Sequence, residues 1–184
     1  MKKTFRILLL LILVLTTFDS FGQTKDTSKK DNLVVYGDGF MFSVKEPTGW
    51  IGDIDVAKEY SANIVFYKTK SDLKNGGTLI QAYNFGKQDE KTEKDLEYDV
   101  KGYQDKYKSL KQQDLVVKHK DYKCFSKLVY VEGSFYQYIV YVNPGSKYKS
   151  GVSIAMNISK RQATEEEELN AFKQIVASLI MFKG

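Results

Sequence analysis

The apolar residues of this 184-residue chain change their spacing along its length, and that change narrows the folds open to it. As far as Phe85 they alternate or gather in short runs rich in Val, Ile, Phe and Tyr. From Leu96 they fall at Val100, Tyr103, Tyr107 and Leu110, steps of four, three, four and three that draw one stripe along an amphipathic helix. Strand-like runs return between Leu115 and Ser159, and Leu169, Phe172, Ile175, Val176, Leu179 and Ile180 then form a second helical stripe. Strands, one helix, a strand meander and a closing helix give too few strand–helix alternations for a parallel doubly wound sheet. The order predicts an α+β fold, an antiparallel sheet with helices packed on it.

The runs themselves sharpen this expectation. LVVY, the turn Gly37-Asp38-Gly39 and FMFSV read as a hairpin-like opening, and Pro47-Thr48-Gly49 marks a turn that delivers Trp50. Residues 51–61 fit either a short helical turn or a loop. ANIVFYK is a strand, SDLKNGG turns, and TLIQAYNF places Leu79, Tyr83 and Phe85 on one face with Ile80 and Ala82 on the other. Apolar groups on both faces belong to an interior strand covered on both sides. Thr92 with Asp95 suggests a variant capping box for the first helix. Four strand-like runs follow: LVVKHK, KCFSKLVYV, SFYQYIVYV and GVSIAMNIS. The last sets Val152, Ile154, Met156 and Ile158 against Ser153, Ala155, Asn157 and Ser159, one buried face and one small, polar face. Thr164 with Glu167 reads as the cap of the closing helix. The acidic run Glu165 to Glu168 suits the positive end of its dipole.

The N-terminus is of another kind. Lys2, Lys3 and Arg6 precede nine consecutive apolar residues, Ile7 to Leu15, and small residues follow at Ser20 and Gly22. That is the pattern of a secretory signal peptide over 1–22, with cleavage near Gly22-Gln23. The apolar core is about half the length a spanning helix needs, so no stable membrane span is expected after cleavage. Residues 23–32, without an apolar side chain, read as a disordered tether, and 33–184 as a single domain. The chain holds 28 Lys and Arg against 23 Asp and Glu. The leader takes three of the former and one of the latter, leaving 25 against 22, a net of +3. So modest an excess makes no case for nucleic acid. Cys124 is the single cysteine, so no internal disulfide staples the fold, and no cysteine follows the apolar run to accept a lipid.

Most catalytic constellations fail on count. His119 is the single histidine, and in one strand it and Cys124 point to opposite faces unless the chain turns at Lys120-Asp121. One His and one Cys do not make a zinc site. Asp53 and Asp55 are alternate carboxylates that could chelate a hard cation, but they lack the dense oxygen pattern of a calcium loop. Lys74-Asn75-Gly76-Gly77 is a turn, with no glycine loop opening a helix to cradle phosphate. No metal or cofactor is therefore expected. What stands out is aromatic: Tyr130, Tyr136, Tyr138 and Tyr141 on adjacent strand runs, and Tyr148 in the following turn. Flat faces with polar tips suit a binding surface, and the candidate residues are Trp50, Asp53, Asp55, Tyr136, Tyr138 and Tyr148. The plainer reading of the tyrosines is that they fit pleated, half-buried strands.

The stretch GFMFSVKEPTGW, with Phe42, Pro47, Gly49 and Trp50, and the closing FKQIVASLIMF, with Phe172, Ile175, Val176, Ser178 and Leu179, resemble the PsbP-like family. That family is shared by photosystem PsbP proteins, a Ran-binding nuclear import factor and bacterial DcrB-type proteins. Within it the chain is similar to uncharacterised exported bacterial proteins carrying a GW-x-x-D stretch, here Gly49, Trp50 and Asp53. The resemblance covers about residues 33–182. It implies an α-β-α sandwich and an accessory or binding role without catalysis. Together with the leader, the expectation is an exported, periplasmic or secreted, non-enzymatic binding protein of the bacterial cell envelope. Its partner is then an envelope protein or a small ligand. The alternatives from other classes are a carboxylate-dependent hydrolase or carbohydrate-active enzyme built on Asp53 and Asp55, and an immunity-type inhibitor of a secreted toxin.

Overall fold

A computed structural model describes residues 32–87, 91–159 and 166–183. The leader, the tether as far as residue 31 and the expected cap residue Thr164 lie outside the described residues. The first strand takes in Asn32, which the sequence reading had assigned to the tether.

Ten strands form two antiparallel sheets among the described residues. The small sheet has the order β1(Asn32–Gly37), β2(Phe40–Lys45) and β10(Ile180–Phe182). The large sheet runs β3(Ile51–Asp53), β4(Ile64–Tyr67), β5(Leu79–Gly86), β9(Ser150–Ser159), β8(Phe135–Asn143), β7(Lys123–Val131) and β6(Lys111–Asp114). A 3-10 helix spans Val56–Tyr60, and the α-helices are α1(Lys70–Asn75), α2(Thr92–Lys106) and α3(Glu166–Ser178). The fold is thus α+β, with helices packed on antiparallel sheets, and no described helix is long and apolar enough to cross a membrane.

Alternation decides the layers. One face of the large sheet presents Phe66, Ile80, Ala82, Val140, Val142, Ile154, Met156 and Ile158. These close against Phe172, Ile175 and Val176 of α3 and against Val35, Phe42 and Val44 of the small sheet. The opposite face is covered in two parts. Leu96 and Val100 of α2 pack on Val129, Ile139 and Tyr141, while Ala57 of the 3-10 helix packs with Val65 and Tyr67. The two-sided character expected of β5 holds: Ile80 and Ala82 enter the first core, and Leu79 and Phe85 support the others. The Pro47–Trp50 turn also forms, with Gly49 at φ 80° and the Trp50 N–H donating to the Pro47 carbonyl at 3.0 Å.

Several local expectations are corrected. The polar stretch KQQD, not LVVKHK, forms β6, because Leu115 and Val117 leave the ladder to pack at the α3-side core. Lys74-Asn75-Gly76-Gly77 is the end of a helix, closed by Gly76 in the left-handed conformation. Helix α2 starts after Lys91, with no side-chain cap, so Thr92 and Asp95 are not its capping box, and Tyr107 already lies past its end. The polar face of β9 is covered rather than open: Ser153 is 8% and Ala155 6% exposed. Ile180 belongs to β10 and faces outward. The acidic run does more than complement a dipole. Buried Glu168 accepts the Thr78 hydroxyl at 2.6 Å, and Glu167 pairs with Lys68 at 2.9 Å.

Phe172 is fully buried and meets Tyr138 edge-on, with ring centroids 6.4 Å apart. Phe172→Ala is expected to cost about 3–5 kcal/mol in urea unfolding, the loss typical of an emptied aromatic site. Tyr98→Ala, on the exposed side of α2, should stay within about 0.5 kcal/mol.

Candidate functional site

Helix α2 buries Leu96 and Val100 against the sheet, which leaves Glu93, Glu97 and Gln104 along its flank. Facing that flank, β6 ends at Asp114 and the chain continues without ladder pairing through Leu115, Val116, Val117 and Lys118. The Ser126 hydroxyl of β7 donates to the Leu115 carbonyl and holds this segment in place. Between helix and segment lies a groove of about 750 Å³, a volume within the range of ligand pockets. Leu96, Val100, Phe125 and Val116 give it apolar walls, and Val116 is 71% exposed. Its rim is charged. Asp114 and Lys127 pair at 2.6 Å, and the lysine's hydrogen bond holds the Asp114 carboxyl below its usual range. Glu93 and Glu97 then stand on the helix side opposite Lys118.

The six residues singled out from the sequence are not gathered into one surface. Trp50 is 3% exposed and packs in the core, with Lys68 Nζ 5.8 Å above its ring. Asp53 uses both oxygens internally: Oδ1 accepts the Val56 N–H at 2.9 Å, and Oδ2 accepts the Tyr67 hydroxyl at 2.9 Å. Asp55 is exposed at the start of the 3-10 helix. Tyr136 lies half-buried on the α3-facing side and stacks on Tyr130, its cross-strand partner, at 5.1 Å. Tyr138 lies under Phe172, and Tyr148 donates to the Met181 carbonyl at 3.3 Å. Tyr141 is on the opposite face, donating to Asp99 of α2.

The chain does turn after His119, yet the turn engages the imidazole rather than freeing it. Nδ1 accepts the backbone N–H groups of Asp121 (3.0 Å) and Tyr122 (3.1 Å). The ring proton is therefore on Nε2, which donates to the Leu179 carbonyl at 2.9 Å. The ring stacks on Tyr122, 4.4 Å away and 6° from parallel. His119 is thus half-buried and fully hydrogen-bonded. Burial pushes the Cys124 thiol up to about 11, well away from a reactive thiolate. Among the described residues no group of three or more His, Cys, Asp or Glu side chains is placed to hold a metal ion.

The groove residues escaped the sequence reading for a definite reason. LVVKHK has strand composition, and nothing within it marks that the chain leaves the ladder after Asp114, with Val116 exposed and Val117 buried. Glu93 and Glu97 are ordinary solvent-side positions on a helical stripe until β6 ends beside them.

No protein-family model matches the chain, and no curated protein matches it. Among solved structures it is similar to the solution structure of cyanobacterial PsbP (CyanoP) from Synechocystis sp. PCC 6803. The identity is 14%, the match covers 88% of this chain and 99% of that one, and the TM-score is 0.48.

Four tyrosines are held neutral. Burial first, then the bond to Asp53, raises Tyr67 to about 12, and burial raises Tyr83 to about 12. Tyr103 and Tyr141 are also raised, chiefly by burial. An unfolded tyrosine loses its proton near pH 10, while these keep theirs in the folded chain. Their contribution is complete below pH 10 and is lost as pH climbs toward 12. Stability in urea should therefore fall between pH 10 and 12. Tyrosinate absorbance in that window should report fewer ionised tyrosines than the unfolded chain does; equal titration of both states would show the raised values to be wrong.

Proposed function

We propose that this protein is an exported, non-enzymatic binding protein of the bacterial cell envelope, and that the groove between α2 and residues 115–118 holds its partner. The groove is the observation that carries the reading: a ligand-sized space with apolar walls and two helix-borne carboxylates on its rim. An extended segment of an envelope protein fits this chemistry, with apolar side chains against Leu96, Val100, Val116 and Phe125 and a lysine or arginine beside Glu93 and Glu97. The basic, then apolar, then small-residue pattern of residues 1–22 supports export. The internal hydrogen bonds of Asp53 and His119 support a role without catalysis, since each group already has its partners.

Two measurements test the two halves of the proposal. Intact mass of the protein recovered from the envelope or medium should place its N-terminus near Gln23; a chain retaining Met1 in the membrane fraction would replace export with anchoring. For the groove, immobilised protein should retain from envelope extract a species that Val116→Asp and Glu97→Lys both release. A peptide from that species, apolar with one basic residue, should compete for it. Because Val116 and Glu97 are exposed, neither substitution disturbs the core. Retention unaffected by both variants would move the binding site elsewhere.

A further inference from the structure

Strand β7 is longer than the strand beside it. All nine of its residues, Lys123–Val131, pair with β8, but β6 meets it only from Lys127 to Tyr130. Lys123, Cys124, Phe125 and Ser126 therefore have a strand on one side and none on the other among the described residues. The run that would continue β6 along them is Leu115–Lys118, and it peels away to the α3-side core, where Leu115 and Val117 pack. It is tied to this stretch of β7 through a side chain, the Ser126 hydroxyl on the Leu115 carbonyl. Val116, Val117 and Lys118 make no backbone–backbone hydrogen bond among the described residues.

A half-vacated ladder offers N–H and C=O groups to an added strand. Alternate residues of an antiparallel strand direct both groups to the same side, so four residues present about two such pairs. This open edge lies in the groove, where Cys124, Phe125 and Ser126 stand with Leu96, Val100 and Val116. The charges on the α2 wall are both negative. Glu93 and Glu97 make no ion pair among the described residues, whereas Lys127 on β7 is already paired with Asp114. Spacing fits as well. Successive turns of α2 rise about 5.4 Å, and alternate residues on one face of a strand lie about 6.6 Å apart. A strand laid beside α2 can set an apolar side chain on Leu96 or Val100 and, two residues on, a lysine or arginine at Glu93 or Glu97.

We infer that the groove takes its partner as an added strand, an extended apolar-x-basic segment hydrogen-bonded to the open edge of β7 at Lys123–Ser126. The inference rests on the groove as the partner's site and adds how the partner is held: backbone to β7, alternate side chains to α2.

The probe is the synthetic peptide Thr-Val-Thr-Lys-Thr-Val, titrated into the purified protein and followed by calorimetry. Two N-methylated forms separate backbone pairing from side-chain contact, one methylated at the amides of its valines and lysine, the other at those of its threonines. In an added strand only one of these sets faces β7. One form should therefore bind about tenfold more weakly or worse, and the other within about twofold of the parent. Glu97→Lys should weaken the parent peptide several-fold and should bind the same peptide with glutamate for lysine better than the unchanged protein does. A parent peptide that fails to bind at millimolar concentration, or two methylated forms that bind alike, overturns strand addition. Release of the retained envelope species by Val116→Asp and Glu97→Lys would then still place the partner in the groove, and no such release would remove both readings.

Discussion

The pairing of β5 with β9 is the constraint on which the rest of the structure depends. It joins Leu79–Gly86 to Ser150–Asn157 in an eight-pair antiparallel register, between strands separated by α2 and three further strands. Both strands are apolar or small on both faces, so the ladder is stable only if both faces are kept from water. The α3-side layer and the layer formed by α2 with the 3-10 helix are the two answers to that demand. Asn157 and Gln81, hydrogen-bonded to each other on this ladder, are polar exceptions that satisfy one another.

The α3-side layer is more than a helix lying on a sheet. After Ser178 the chain adds β10 to the small sheet, so the C-terminal residues must be held in strand geometry with one edge facing away from β2. His119, Tyr122 and Tyr148 perform that task through the Leu179 carbonyl and both backbone groups of Met181. The Lys45 N–H adds a tie to the Ser178 hydroxyl at 2.8 Å. The single histidine and two of the tyrosines are thereby committed to closing an edge, and the same turn that positions His119 carries the chain from the groove segment into β7.

Legibility followed periodicity. The stripe of α2 through Leu96, Val100 and Tyr103, the two-faced β5, the hairpin of β7 and β8 and the stripe of α3 were all readable, because each side chain's environment is set by its own element. The failures came where a neighbour overrode composition. KQQD has no strand preference and pairs only because β7 offers it an edge, while LVVKHK has every strand preference and leaves the ladder because the core takes Val117. Trp50 looked like a surface anchor beside Asp53; the Pro47–Gly49 turn carries it inward instead. The groove was not readable, since it exists only where α2, β6 and residues 115–118 meet.

Edges connect these points into one argument. A seven-stranded and a three-stranded sheet present four edges, and among the described residues three of them are a charged strand, β6, a three-residue strand, β3, and a hydroxyl-capped strand, β10. At β6 the charged edge lies beside the groove, where it discourages indiscriminate strand addition next to an apolar space.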